Sequence, residues 1–256
     1  MNFESNALLV AFGLFAAILL AQDVGRRLGR RSLAQSEQGD GSGTGVIDGA
    51  VFALLGLLIA FTFSGAAGRF DDRRKLIVEE VNAVGTAYLR LDLLPAASQP
   101  PMRDRFRRYL DARLAAYAAL PDMAAAQRQL AVAGQVQSEI WASAIESTAG
   151  LQPATMLLLP ALNDMFDIAT TRTVTATFHP PVVIFILLVV IALLGALLAG
   201  FAAAPARRRN WVHSMVFAAT LAGAIYVILD IEYPRLGFIR VDRFDAPLIE
   251  LRQSMG

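Results

Sequence analysis

From Gly49 to Leu94 the chain reads GAVFALLGLLIAFTFSGAAGRFDDRRKLIVEEVNAVGTAYLRLDLL. The first 20 residues, Gly49–Gly68, carry no Asp, Glu, Lys or Arg, and the charges begin abruptly at Arg69. A bilayer core is crossed by about 20 apolar residues in a helix. No proline interrupts the stretch before Pro95, so it predicts one helix of 46 residues. At 1.5 Å per residue such a helix runs roughly 70 Å, far longer than a membrane is thick. The stretch therefore predicts a membrane span that continues as an extramembrane helix.

Three further runs lack charge: Asn6–Gln22, Pro180–Ala204 and Trp211–Leu229, of 17, 25 and 19 residues. Each falls within the range of about 17–25 residues for a spanning helix. The first does not read as a cleaved leader. Only Glu4 charges the residues before it, and Gln22-Asp23 stands where small cleavage-site residues belong. Four spans account for the composition. Of the 256 residues 55% are hydrophobic and 18% charged, with a mean hydropathy of +0.49. Soluble domains carry about 25% charged residues. The net charge of +1 excludes an electrostatically driven nucleic-acid binder. With no cysteine, disulfides, thiolate catalysis and cysteine-bound metals are excluded too, and two histidines leave little for a histidine-built site.

The arginines suggest an orientation. Arg26, Arg27, Arg30 and Arg31 follow the first span, and Arg207, Arg208 and Arg209 fill the link between the third and fourth. The positive-inside rule makes that side cytoplasmic, which puts both termini and the long middle segment in the periplasm of a Gram-negative cell. Arg69, Arg73, Arg74 and Lys75 on the opposite side, with Arg235, Arg240 and Arg243 after the fourth span, keep the inverted orientation open.

Residues 69–179 read as helical throughout. Their pieces are rich in Ala, Leu, Arg, Gln and Glu, and are punctuated at Pro95–Pro101, Pro121 and Gly150–Pro153. The expected class is an all-α membrane protein. Residues 1–68 form the first two spans with a Gly-rich cytoplasmic link, 69–179 a helical extramembrane domain, and 180–256 the last two spans and a tail. The link, Gly39 to Gly45, reads GDGSGTG but has neither the Lys-Ser/Thr ending nor the preceding strand of a phosphate loop. It is expected to be a flexible connection. Asp48, or Thr44 a turn earlier, is the expected cap of the second span. Pro180 and Pro181 are expected in the first turn of the third.

Small residues recur along the second span at Gly49, Ala53, Gly56, Ala60, Ser64 and Gly68, near one helical face. Two readings stand side by side. Small residues let membrane helices pack closely. Repeated around an oligomer axis, the same face lines a pore with Ala53, Leu57, Ala60, Phe61 and Ser64. Leu57 and Phe61 are then apolar constrictions that gate by dewetting. The charges that follow, Arg69, Asp71, Asp72, Arg73, Glu79 and Glu80, are either an interfacial anchor or a ring of potential at a pore mouth. Their mixed signs do not reveal a permeant charge.

Asp230 and Glu232 close the last span, where carboxylates cost far less than the about 2.5–3.5 kcal/mol of the bilayer centre. They read as interfacial acids paired with Arg235 or Arg240, as a cation-attracting ring, or as a clamp on the arginines after the second span. Asn163, Asp164, Asp167, Thr170, Thr171, Arg172 and Thr173 make a polar face expected to hydrogen-bond against the second helix. Arg103, Arg105, Arg107, Arg108 and Arg113 alternate with Asp104 and Asp111. They are expected on a solvated face through the pairs Asp104–Arg108 and Arg107–Asp111.

Gly56 to Asp71, with its continuation Glu79-Glu80-Val81-Asn82-Ala83-Val84-Gly85-Thr86-Ala87-Tyr88, resembles the second helix of the bacterial bestrophin-like domain family. Leu229 to Val241 (LDIEYPRLGFIRV) resembles that family's ending, an acidic pair, a proline, a glycine and a strand-like tail. With the four-span layout, the resemblance covers nearly the whole chain. It implies a distant similarity to bestrophins, oligomeric ion channels whose second helix lines the neck. The shared feature is an aromatic followed eight residues on by arginine and an aromatic, here Phe61 and Arg69-Phe70. Bestrophins also carry a tryptophan near this point, which this chain lacks, and they hold their extramembrane part in the cytoplasm.

No nucleophile elbow, zinc-binding helix or nucleotide loop is present, so an enzyme is not expected, nor a metal or other cofactor. The expected function is an oligomeric ion channel of the inner membrane, its partners the bilayer, small ions and copies of itself. The other reading is a membrane-anchored sensor or scaffold whose helical domain binds a ligand or partner. Its predicted cytoplasmic parts, 23–48 and 205–210, are too small to signal alone.

Overall fold

The computed structural model describes residues 3–35, 44–120, 122–233, 239 and 245–256, without the side chains of 3–8 and 44. The chain order is α1 (Phe3–Gln35), α2 (Thr44–Leu89), a 3-10 turn (Arg90–Leu93), α3 (Gln99–Ala118), α4 (Met123–Ser147), α5 (Gln152–Thr175), α6 (Val182–Ala202), α7 (Trp211–Glu232) and α8 (Ala246–Ser254). No strand occurs among the described residues, and α1, α2, α6 and α7 are long and apolar enough to span a membrane. The fold is the expected all-α one with four candidate spans. Most of the expected Gly39–Gly45 link, Pro121, and residues 234–238 and 240–244 of the tail lie outside the described residues.

The second span is a single helix of 46 residues, beginning five residues earlier than expected. Asp48 consequently lies inside it and not at its cap. It also ends five residues earlier than expected, at Leu89, and a 3-10 turn carries the chain on to the point where Pro95 stops it. Leu94 is extended, at φ −81° and ψ 156°, because the proline ring clashes with a helical residue before it. The 3-10 turn closes just ahead of that point. Asp122 caps α4 by accepting from the Ala125 amide at 3.0 Å, and Asn210 caps α7 by accepting from His213 at 3.3 Å. Gly150, at φ 78°, turns the chain between α4 and α5 in a conformation that favours glycine. Pro181 is the residue before α6 starts, so Pro180 and Pro181 precede that helix and do not occupy its first turn.

The chain forms two compact units, residues 1–69 with 179–239 and residues 70–178 with 240–256. In the first, α1, α6 and α7 bury Ile18, Leu188, Ala192, Ala196, Ala218, Leu221 and Ile225, and α2 adds Leu55 and Ala66. Helices α1 and α6 meet at backbone contact. A Cβ on Gly25 would stand 1.9 Å from the Leu197 carbonyl oxygen, and one on Gly200 would stand 2.0 Å from that of Gln22. Close approach through small residues is thus realised between the first and third spans. The small-residue row of α2 takes no part: Gly49, Gly56 and Gly68 have nothing within 4 Å of a Cβ position. Instead α2 packs through another face, with Phe52 against Gly195 and edge-on to Phe217.

In the second unit the later turns of α2 pack Val84 and Ala87 against Phe106, Tyr109 and Leu110 of α3, Val136 and Ile140 of α4, and Leu158, Leu162 and Met165 of α5. Helix α8 completes this core with Leu248. Its Arg252 grips Asp111 through two hydrogen bonds, of 2.8 and 3.0 Å.

Gly200→Ala and Gly25→Ala force a methyl group into backbone that has no rotamer to yield. Each is expected to cost about 1–3 kcal/mol or more and to lower the melting temperature of the detergent-solubilised protein. Gly13→Ala and Gly223→Ala, whose Cβ positions are open, should melt at least as high as the parent in the same assay.

Candidate pore helix and its charged flanks

The face of α2 opposite its packed residues is bare. Ala53, Gly56, Ala60, Ser64 and Gly68 are exposed, as are Leu57 at 52% and Phe61 at 67%. Only 6% of the most apolar window of α2 is buried, against 22–28% for the other three spans. The second span is therefore the least covered by its own chain. Thr62 does not interrupt the apolar surface, because its hydroxyl is spent on the Leu58 carbonyl at 2.7 Å.

At the end of that face Arg69 folds back beside Gly65, its guanidinium 3.3 Å from the glycine's Cβ position, and reaches Glu232 of α7. Its Nε donates to both carboxylate oxygens, at 3.1 and 3.0 Å, and its Nη2 to Oε2 at 2.6 Å. Glu232 has no exposed surface. His179 Nδ1 stands 3.0 Å from Glu232 Oε1, and its ring lies against Tyr233 with centroids 4.5 Å apart. Asp230 accepts from the Tyr226 hydroxyl at 3.3 Å and from the Ile239 amide at 2.8 Å. The other partners considered for these acids, Arg235 and Arg240, lie outside the described residues.

The charges beyond Arg69 divide by exposure. Asp71 and Asp72 are exposed and pair within the helix with Arg74 at 3.3 Å and Lys75 at 3.0 Å; Glu79 is exposed as well. Arg73 is buried and donates to the Phe178 carbonyl at 3.0 Å. Glu80 is fully buried. It accepts from Arg113 Nε at 2.8 Å, from Arg172 Nη1, and from the Tyr117 hydroxyl at 3.3 Å. Arg172 also binds Asp245 at 2.6 Å and places its Cζ over the Tyr117 ring, 3.9 Å from the centroid. Arg113 takes further acceptors from Tyr117, Thr173 and the Ala169 carbonyl. Two buried cations thus face two buried carboxylates, with most of their donors satisfied. Burial pulls the Arg113 guanidinium down, but Tyr117 and Glu80 more than offset this and hold it above its ordinary value. Burial pushes the Tyr109 hydroxyl nearby up to about 12.

Three expectations are corrected here. Arg113 does not lie on a solvated face; it is 3% exposed. The buried face of α3 is Met102, Phe106, Tyr109, Leu110, Arg113 and Ala116, so Arg113 falls on the apolar period, and that spacing was the available signal. Its neighbours pair differently as well: Arg107 with Asp104, Arg108 with Glu139 of α4, and Asp111 with Arg252 of α8. Finally, Asn163, Asp164 and Asp167 are exposed, and Thr170 and Thr171 bond back to their own helix. Only Arg172 and Thr173 of that run reach other helices.

Four apolar helices, the second prolonged into a helical bundle that is stitched by buried ion pairs, define a multi-pass helical membrane protein. The chain belongs to the bestrophin-like family, whose bestrophin-like domain it matches over residues 11–245. Its fold is similar to that of a bacterial bestrophin homologue from Klebsiella pneumoniae, crystallised with a tryptophan replaced by alanine. The TM-score is 0.70 at 16% identity, over 96% of each chain. A tyrosine-to-alanine form of a bacterial bestrophin homologue from Klebsiella pneumoniae matches at TM-score 0.68 and 16% identity, over 93% of this chain and 96% of that one. A membrane protein with a proline-to-alanine change matches at 0.64 and 16%, over 94% and 96%. No curated protein is similar enough in sequence to match.

Removing one partner of a buried ion pair leaves its counter-charge stranded, at a cost of about 3–5 kcal/mol. Glu80→Gln and Arg113→Met are therefore expected to lower the melting temperature markedly. Asp72→Asn breaks a solvent-exposed pair and is expected to leave it unchanged. Equal melting of all three would contradict the assignment.

Proposed function

We propose that the protein is an oligomeric ion channel in which copies of α2 surround the axis and present Ala53, Leu57, Ala60, Phe61 and Ser64 to the pore. The observation that carries this reading is the bare face of α2. It combines small residues, which keep a path open, with Leu57 and Phe61 one turn apart, which can narrow it into dewetting constrictions. Membership of the bestrophin-like family and the shared fold with bacterial bestrophin homologues support it. Of the charges at the mouth, Asp71, Asp72 and Glu79 are open to solution, whereas Arg69, Arg73 and Glu80 are committed to partners within the chain. We place the open three at the entrance and give the committed three a supporting role. Chemistry on a bound substrate has no part in this reading.

Purified protein in liposomes is expected to pass ions above the level of empty vesicles. Phe61→Ala and Leu57→Ala, at positions more than half exposed within the chain, should raise that flux several-fold without lowering the melting temperature. Flux no greater than in empty vesicles sinks the channel reading, and a partner co-purifying with such inactive protein would point to a scaffold.

The arginine distribution supports a periplasmic extramembrane domain in the inner membrane. Because the chain has no cysteine, Ser138→Cys, on the exposed face of α4, gives a clean probe. A membrane-impermeant thiol reagent applied to intact spheroplasts is expected to label it. Labelling only after lysis would establish the inverted orientation.

A further inference from the structure

The end of the first unit where α1, α6 and α7 meet is strongly and unevenly charged. Residues 23–31 and 204–213 contain Arg26, Arg27, Arg30, Arg31, Arg207, Arg208 and Arg209, against the single acid Asp23. Both oxygens of that acid are taken, one by Arg27 at 2.7 Å and the other by Arg209 at 3.2 Å. Arg26, Arg30, Arg31, Arg207 and Arg208 have no carboxylate partner among the described residues.

Arg26 is the unusual member. It is 8% exposed, held in place by one hydrogen bond from Nη2 to the Ala206 carbonyl at 2.8 Å. Its Nε is buried with no acceptor among the described residues. Arg30 and Arg209 both lie close enough to repel it, and Asp23 is the acid close enough to attract it. Burying a guanidinium with an unmatched donor and two like charges beside it is costly unless an anion completes the site. Gly25 and Gly29, on either side of Arg26 in the chain, bring α1 to backbone contact with α6.

The surroundings of the cluster are apolar. Val24 at 47% exposed, Leu28 at 43%, Trp211 at 58% and Val212 at 70% flank the arginines, and Arg209 stacks on Trp211 with its Cζ 3.9 Å from the ring centroid. A free anion in water gains nothing from exposed valine, leucine and tryptophan. A lipid phosphate meets guanidinium groups with its headgroup and apolar side chains with its acyl chains, at the depth where tryptophan and arginine settle.

We propose that this cluster is a binding site for the phosphate of an anionic phospholipid. Arg30, Arg207 and Arg208 supply the exposed donors, Arg209 on Trp211 forms one wall, and the buried charge of Arg26 lies behind. Guanidinium forks suit this role because they bind phosphate oxygens two at a time. The site does not depend on the chain being a channel.

The test is lipid retention by the full-length protein in a neutral detergent, read by native mass spectrometry and by melting temperature. Phosphatidylglycerol, phosphatidylcholine and inorganic phosphate are each added in turn. Phosphatidylglycerol is expected to stay bound and raise the melting temperature, whereas phosphatidylcholine and inorganic phosphate at millimolar concentration do neither. Arg30→Gln with Arg208→Gln, both at exposed positions, should weaken phosphatidylglycerol binding roughly fivefold per arginine, with the lipid-free melting temperature unchanged. Arg105→Gln with Arg128→Gln, an equal loss of charge in the second unit, should leave the binding intact. Equal retention of both lipids, or equal weakening by the two double variants, would overturn the site. Protection by inorganic phosphate as strong as by phosphatidylglycerol would overturn its assignment to a lipid.

Discussion

One helix of 46 residues has to satisfy two different surroundings, and the rest of the structure is arranged around that constraint. Up to Arg69 the helix sits among apolar spans, where hydrophobic burial gives no preference between packing on protein and facing lipid. Beyond Phe70 it is the spine of a bundle in water, where every apolar side chain must find cover. The contrast shows in what it buries. In the first stretch it commits Phe52, Leu55 and Ala66 and leaves most of its circumference bare. In the second, Val84 and Ala87 disappear entirely into a core shared by four other helices.

Each stretch is held by a buried carboxylate rather than by apolar contact alone. Glu232 receives Arg69 at the end of the apolar stretch, and Glu80 receives Arg113 and Arg172 in the bundle. These pairs are weak evidence for net stability, since desolvation offsets much of the attraction. Their value is in register. A guanidinium that must meet a particular carboxylate fixes both the rotation and the axial position of a long helix, and leucine-to-leucine packing fixes neither as sharply. A helix that leaves most of its apolar circumference bare needs that rotation set from elsewhere in the chain.

The glycines teach the opposite lesson about pattern. A row of small residues at helical spacing looks like a packing surface, and in α2 it is not used within the chain. The backbone contact occurs instead at Gly25 and Gly29, a single Gly-x-x-x-Gly pair among arginines, and at Gly200 on the facing helix. Spacing shows which residues share a face, and it leaves the partner of that face open. Arg113 makes the same point with the sign reversed. Surrounded in sequence by arginines and aspartates, it resembles a surface residue, and only its phase with Met102, Phe106 and Tyr109 betrays that it points inward.

What the sequence by itself determined is the material of the fold: four charge-free runs of spanning length, a proline-free passage out of the second of them, prolines and glycines at the breaks, and a resemblance strong enough to name the family. These are local properties, and hydrophobic length, helix propensity and the steric demands of proline act within a few turns of the chain. The tertiary structure alone decided which charges are spent and which remain free. Glu80 meets Arg172 at a separation of 92 positions along the chain, and Arg69 meets Glu232 at one of 163. Such pairings depend on which helices become neighbours, because the energy of an ion pair follows distance and burial and is indifferent to separation along the chain.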